Sequence, residues 1–355
     1  MTALHTLQRS FAATTGYLNA STVGLPPIPV VSAMSDLMSQ WQRGDTDPVA
    51  LGADVEASRA AYARMVKVPA SAVSVGSMTS VFAGTIATSL PPNAEVVVIA
   101  EDFTSMIFPF LVQQDTGLQV RQVPRADLAE AIRPSTDLVV FSLAQSACGS
   151  LVDLEAVLGA ARDCDAMTLC DTTQAAGWLP IEASLFDITV CSAYKWLCQP
   201  RGTAYMTISP RASDLLRPNN AGWYAGESVW DSVYGPEMDL ATDARRFDVS
   251  PAWFCWSAGL VAMELFAQVP TQAIRDHDVS LANEFRSRIG QAPGVTPVVT
   301  LADPGADLVR AFEAAGGKIS SRAGCARIAF HVWNSLADVD LAVEAVAHSK
   351  VTGRA

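Results

Sequence analysis

Lysine is scarce: only four of the 24 basic side chains are lysines, at positions 67, 195, 318 and 350 of 355 residues. Histidine is as rare, with four. No CxxC or HxxxH spacing occurs, so a protein-built zinc site is not expected. No run approaches the roughly 20 apolar residues of a membrane span. Positive charge is outnumbered, 36 acids to 24 bases, for a net charge of −12. Such a chain does not dock on nucleic-acid phosphates or anionic membranes by bulk electrostatics, so neither is expected as a partner. The opening MTALHTLQRSF lacks a basic region followed by an apolar one, so no signal peptide is expected. The seven cysteines are an odd number, several of them inside apolar runs. They read as reduced, buried thiols of a cytoplasmic protein, with Cys148 and Cys325 the two considered for reactivity. Repeats and low-complexity tracts are absent.

What is present is core material. Half of the residues are hydrophobic and 17% are charged, which excludes disorder. The length suits about two domains. Residues 32–45 and 50–67 have helical apolar spacing. Residues 73–90 read as strand, turn and helix. Strands are expected at 95–100, 118–124, 137–145, 166–171, 186–194 and 202–209, with a helix at 153–162 between them. Strands alternating with helices imply a mostly parallel sheet covered on both faces, an α/β fold, with 186–209 as a local antiparallel or bent element. Beyond Pro251 come helices at 252–268 and 271–290. A small α+β unit then follows, with a helix at 305–315, strands at 317–322 and 326–333, and a final helix at 335–348. The expected organisation is an N-terminal segment, 1–20, packed on the small unit, a large domain over 21–255 and a small C-terminal domain over 256–355.

In an open α/β sheet, ligands sit beyond the carboxyl ends of the strands. Four such ends carry unusual residues. Asp171 closes the strand AMTLCD; alone it reads as a helix cap, with Gln174 completing a capping box. Lys195 follows FDITVCSAY and precedes Trp196 and Leu197; alone it reads as a surface lysine, but its flanks are apolar. The turn GSMTS at 76–80 offers backbone N–H groups at a helix N-terminus, an anion site. Phe103 follows EVVVIAED and reads either as core or as a plate over a flat ring. Together, an anion cradle, a carboxylate, an apolar-flanked lysine and an aromatic plate suit pyridoxal 5′-phosphate. The lysine forms a Schiff base with its aldehyde, and the aspartate keeps the ring nitrogen protonated, making the ring an electron sink.

Asp171-x-x-Gln174, followed 24 positions after the aspartate by Ser192-Ala193-Tyr194-Lys195, resembles the class V aminotransferase family. That group has the fold-type-I architecture, a large domain with a mostly parallel central sheet plus a small C-terminal α+β domain. It includes cysteine desulfurases, isopenicillin N epimerase-like proteins and C–S lyases. The resemblance runs from YLNASTVG to RIAFHVWNSLADVDLAVEAV and implies the following roles. Lys195 carries the cofactor and shuttles the Cα proton, and Asp171 pairs with the pyridinium. Gln174 bonds the ring's phenolic oxygen. Ser77, Met78, Thr79, Ser192 and Tyr194 supply phosphate contacts, and Tyr194 stands where many members have histidine. Ser250 reaches the phosphate of the partner subunit in a homodimer. Gln145 and Ser146 lie near the ring, and Arg327 clamps the substrate α-carboxylate.

Phe103 stands where desulfurases stack a histidine, which argues against desulfurase chemistry, and the loop carrying their persulfide-forming cysteine is shortened. Trp223, Trp230 and Tyr234 read either as a substrate-pocket loop or as packing between subunits or domains. The expected reaction is aminotransferase-type, on an amino acid, through an external aldimine and a carbanion delocalised into the ring. A C–S or β-lyase, an epimerase and a desulfurase-like enzyme are alternatives. A catalytically inactive cofactor-binding relative is the alternative of another class.

Overall fold

The computed structural model describes residues 2–349. After helix α1 (Ala3–Arg9) the chain runs through irregular structure with turns at 15–16 and 20–22 to Pro27, where prolines open α2 (Ile28–Arg43). Asp47 caps α3 (Pro48–Met65), its carboxylate accepting the Val49 and Ala50 N–H groups. There follow β1 (Val73–Gly76), α4 (Thr79–Ser89), β2 (Glu95–Ile99), α5 (Thr104–Val112), β3 (Gln119–Val123), α6 (Leu128–Ala131), β4 (Leu138–Ser142), α7 (Leu154–Asp163), β5 (Met167–Asp171), β6 (Ile188–Ser192), β7 (Ala204–Ile208) and α8 (Pro210–Leu215). The remainder is α9 (Trp253–Ala267), α10 (Thr271–Arg288), β8 (Val298–Ala302), α11 (Asp307–Ala314), β9 (Ser320–Arg322), β10 (Cys325–Ala329) and α12 (Leu336–His348).

The large sheet has seven strands in the order β1-β7-β6-β5-β4-β2-β3. Only β7 runs against its neighbours, β1 and β6, as the close spacing of 186–209 implies. Apolar runs such as EVVVI and LVVFS are buried on both faces. Val97, Ile99, Val139, Phe141 and Cys170 enter one core, while Val96, Val98, Leu138, Val140 and Leu169 enter the other. That is the period-two alternation of a strand. β8, β10 and β9 form a small antiparallel sheet, packed with α10, α11 and α12 around a third core. No helix of the described residues is long and apolar enough to cross a membrane.

Two features bear on the domain organisation. α9 is apolar on all sides and lies against α2 and α3, with Val30 packed on Ala258 and Ala262. α9 thus packs with the helices of the large unit. Residues 16–24 form a strap joining the two sheets. The Leu18 N–H donates to the Lys318 carbonyl and the Ala329 N–H to that of Leu18, while the Gly24 N–H donates to the Tyr194 carbonyl.

Candidate active site

A cleft opens at the carboxyl ends of β4, β5 and β6, beside the N-terminus of α4. Met78, Thr79, Phe103, Asp171, Gln174, Ser192, Tyr194 and Lys195 line it. Parallel strands bring these residues together because β5 ends at Asp171, opposite Val190, and β6 runs only two residues further, to Ser192, so both strands deliver their last residues to the same edge of the sheet.

Lys195 is 4% exposed and makes neither a hydrogen bond nor an ion pair among the described residues. Its Nζ lies 5.3 Å from the centroid of the Phe103 ring and 5.7 Å from that of Tyr194. Burial lowers its pKa to about 8; the Asp171 carboxylate pulls the other way, and the Arg327 and Arg322 guanidiniums push it further down. Asp171 is likewise buried, and burial raises its pKa to about 6 against the hydrogen bonds from Thr173, one of them from the Thr173 N–H at 2.8 Å. The amine and the carboxylate that face this cleft are thus both held toward neutrality.

The backbone at the lysine is fixed by close packing. A Cβ on Gly24 would sit 1.9 Å from the Lys195 carbonyl oxygen, and one on Gly177 (φ +113°) 2.4 Å from that of Trp196. Only glycine lets the strap and the turn after β5 approach so near. The Trp196 indole N–H donates to Gln174 Oε1 at 2.9 Å, and its carbonyl accepts from His331 Nε2 at 2.9 Å. His331 Nδ1 lies 2.7 Å from Asp278 Oδ2, both groups fully buried. Gln174 Nε2 donates to the Ser21 carbonyl and to Ser146 Oγ.

At the α4 end, Ser192 Oγ accepts the Thr79 N–H at 3.1 Å and lies 2.8 Å from Thr79 Oγ1. A second cation lines this part of the cleft: the Arg201 guanidinium stacks 4.9 Å from the Tyr194 ring. Arg327 is 1% exposed and has only neutral partners among the described residues. Its Nε donates to Ser320 Oγ at 3.2 Å, one Nη to the Ser146 carbonyl and the other to Thr22 Oγ1 at 2.8 Å. Burial, with Arg322 nearby, lowers its pKa to about 10. Its remaining N–H groups have no acceptor among the described residues.

Several expected site residues lie elsewhere. Ser77 is half-buried but does not line the cleft. Gln145 is buried beside Asp102, whose ionised form it helps to hold. Trp223 packs with Trp230, Tyr224 and Trp253 away from the cleft of its own chain, and Tyr234 is exposed. Ser250 is also exposed, two residues after Asp248, which pins the loop through Arg59, Ser74 and the Val75 N–H. Cys148 is half-buried with Sγ 3.0 Å from Ser150 Oγ, and Cys325 starts β10. Among the described residues no cluster of acids, histidines or cysteines could hold a metal.

Sequence reasoning missed Asp102, Thr173, Arg201 and the Asp278–His331 pair. Asp102 had a signal, since it follows β2 as Asp171 ends β5. Its carboxylate accepts the Ser142 N–H and hydroxyl at 2.7 and 2.6 Å. Burial raises its pKa, and its field raises that of Asp171.

The aminotransferase class-V model matches residues 19–316. The chain belongs to the aminotransferase class-V family. Class-V enzymes are pyridoxal-phosphate-dependent transferases and lyases of fold type I. A kynureninase of Pseudomonas fluorescens is 23% identical, over 54% of this chain and 45% of its own length. A probable cysteine desulfurase of Methanothermobacter thermautotrophicus is 22% identical, over 79% and 73%. The match to the kynureninase thus spans less than half of that protein. Among solved structures, the cystine C–S lyase C-DES superposes with a TM-score of 0.85 at 18% identity, covering 95% of this chain and 98% of that one. The residues present fit the class-V cofactor: a buried amine with no acceptor among the described residues and a buried carboxylate line one cleft beside the N-terminus of α4.

Proposed function

We propose that this class-V protein is a pyridoxal-phosphate enzyme that binds an α-amino acid and removes its β-substituent, a lyase-type reaction. One observation carries the reading: among the described residues Lys195 is a buried amine with no acceptor, sharing a cleft with buried Asp171, and Arg327, without an acidic partner among them, donates to Ser146 of the same cleft. Pyridoxal phosphate supplies an aldehyde for amines and a protonated ring that withdraws electrons from Cα. Lys195 anchors it and, near neutrality, takes the Cα proton. Asp171 meets the ring nitrogen. The α4 N-terminus, Thr79, Ser192 and Arg201 take the phosphate. Arg327 takes the α-carboxylate and so orients Cα.

Phe103 covers the ring but moves no proton. Epimerisation by two opposed bases is therefore disfavoured. The likeness to the C–S lyase and to desulfurases supports loss of a β-substituent over the aminotransferase reaction expected from sequence. Exposed Ser250 supports a homodimer in which it reaches the partner's phosphate.

Amino acids are added to the holoenzyme and products identified by mass. Pyruvate with ammonia supports the reading; a keto acid retaining the substrate's side chain overturns the lyase assignment. Arg327→Gln is expected to weaken amino-acid binding roughly 100-fold, since charge-assisted bonds to a carboxylate are lost, while cofactor retention persists. Equal loss of both would give Arg327 a structural role instead.

A further inference from the structure

The small sheet delivers a second arginine beside the first. In the β9–β10 hairpin Ser320 lies opposite Arg327, and Arg322 opposite Cys325. Directly opposed residues, and residues two apart on a strand, share a face. Arg327 marks that face as the one turned to the cleft, because its guanidinium donates to the carbonyl of Ser146, which lines the cleft. Arg322 therefore stands on the cleft face, on the diagonal from Arg327, with backbones roughly 7–8 Å apart.

Its position is rigidly set. Arg322 is the last residue before a two-residue turn, Ala323 and Gly324, with φ of +48° and +75°. Two successive left-handed residues are the signature of a tight hairpin, and an alanine there carries backbone strain. The Asp303 N–H donates to the Gly324 carbonyl at 2.8 Å and ties the turn down. Asp303 does not neutralise the arginine, because its carboxylate accepts N–H groups of Asp307, Leu308 and Val309 at the start of α11. Arg322 is exposed, donates to the neighbouring Ser321 carbonyl, and makes no ion pair among the described residues. Its charge nonetheless reaches inward, pushing down the pKa of both Lys195 and Arg327. Two like charges on one short hairpin, without an acid between them, repel until an anion bridges them.

We infer that the substrate is an amino acid carrying a second acidic group, with its α-carboxylate on Arg327 and its side-chain acid on Arg322. The inference rests on the function proposed above. A neutral side chain would leave Arg322 unpaired, whereas a diacid satisfies both guanidiniums. The side-chain contact lies at the cleft mouth, where an arginine reads charge without a desolvation penalty.

The test is calorimetric titration of the holoenzyme with L-aspartate against L-asparagine, and L-glutamate against L-glutamine. Each pair matches in shape and differs in charge. At least one acid is expected to bind tenfold or more tightly than its amide. In Arg322→Gln the ratio should fall toward one through weaker binding of the acid, and Arg322→Lys should restore part of it. Equal affinities for acid and amide in the native protein overturn the inference and leave the proposed function standing. The inference also falls if Arg322→Gln weakens acid and amide alike, since Arg322 would then support the hairpin. Absence of binding by every amino acid overturns both.

Discussion

Reduction of the holoenzyme with borohydride is expected to fix the cofactor to residue 195, and Lys195→Ala to abolish that label. The expectation follows from burial. Lys67 and Lys318 are the other described lysines, and both are exposed, Lys67 beside Glu182. Neither lines the cleft that fits the cofactor. Lys195, with its pKa near 8, is neutral in about a tenth of the molecules at pH 7, and the neutral amine is the nucleophile. The variant should fold, because it removes a buried charge rather than a packed apolar group. Turnover should fall by at least about 10²–10⁴, the usual worth of a positioned proton-transfer group. Peptide mass mapping decides the matter: a label on Lys67 or Lys318 would remove the basis of the proposed mechanism.

Asp171→Asn is expected to make the cofactor-free protein more stable and the enzyme nearly inactive. In the folded chain the Asp171 pKa is raised to about 6, above the roughly 3.9 of an unfolded carboxyl. A raised carboxyl pKa contributes stability that is fully present below about pH 4 and is lost as pH climbs through 6. At pH 7 the ionised, buried carboxylate therefore costs on the order of 3 kcal/mol. Lys195 has the opposite sign. Its lowered pKa gives stability present above about 10.5 and lost as pH falls through 8. Near pH 7 the cofactor-free site thus holds both groups in their disfavoured charged states. Asparagine removes one of these costs, so urea denaturation of the cofactor-free variant should show higher stability at pH 7 and a flatter pH profile between 4 and 6. The same change deprives the ring nitrogen of its counter-charge, and turnover should drop by at least 100-fold, an exchange of stability for function. Unchanged stability at pH 7 would mean that the carboxylate is not buried at the cost argued here.

Much of this was legible in the chain. Runs such as EVVVI and LVVFS read as strands because their β-branched and apolar side chains suit a sheet buried on both faces. Asp171 and Lys195 were legible because each ends such a run, where a polar side chain has no structural reason to be. Other parts were hidden for physical reasons. Arg201 and Trp223 look alike in sequence, each in a loop of polar and aromatic residues, and only folding turns one toward the cleft and the other away. His331 and Asp278 lie 53 positions apart, and no local pattern pairs them. α9 resembled the opening of a new unit because it is uniformly apolar, whereas that composition reflects helices covering it on several sides.

The strap at 16–24 sets the order in which the protein can mature. Thr22 meets Arg327 across 305 positions, and Gly16 meets Asp338 across 322. Closing such long loops delays assembly, and a ribosome releases the early residues long before their late partners exist. A nascent chain can complete most of the seven-stranded sheet while the strap still lacks the partners that hold it. Competence for catalysis therefore waits for β10, which must be made before it can close over a strap that left the ribosome about 300 residues earlier.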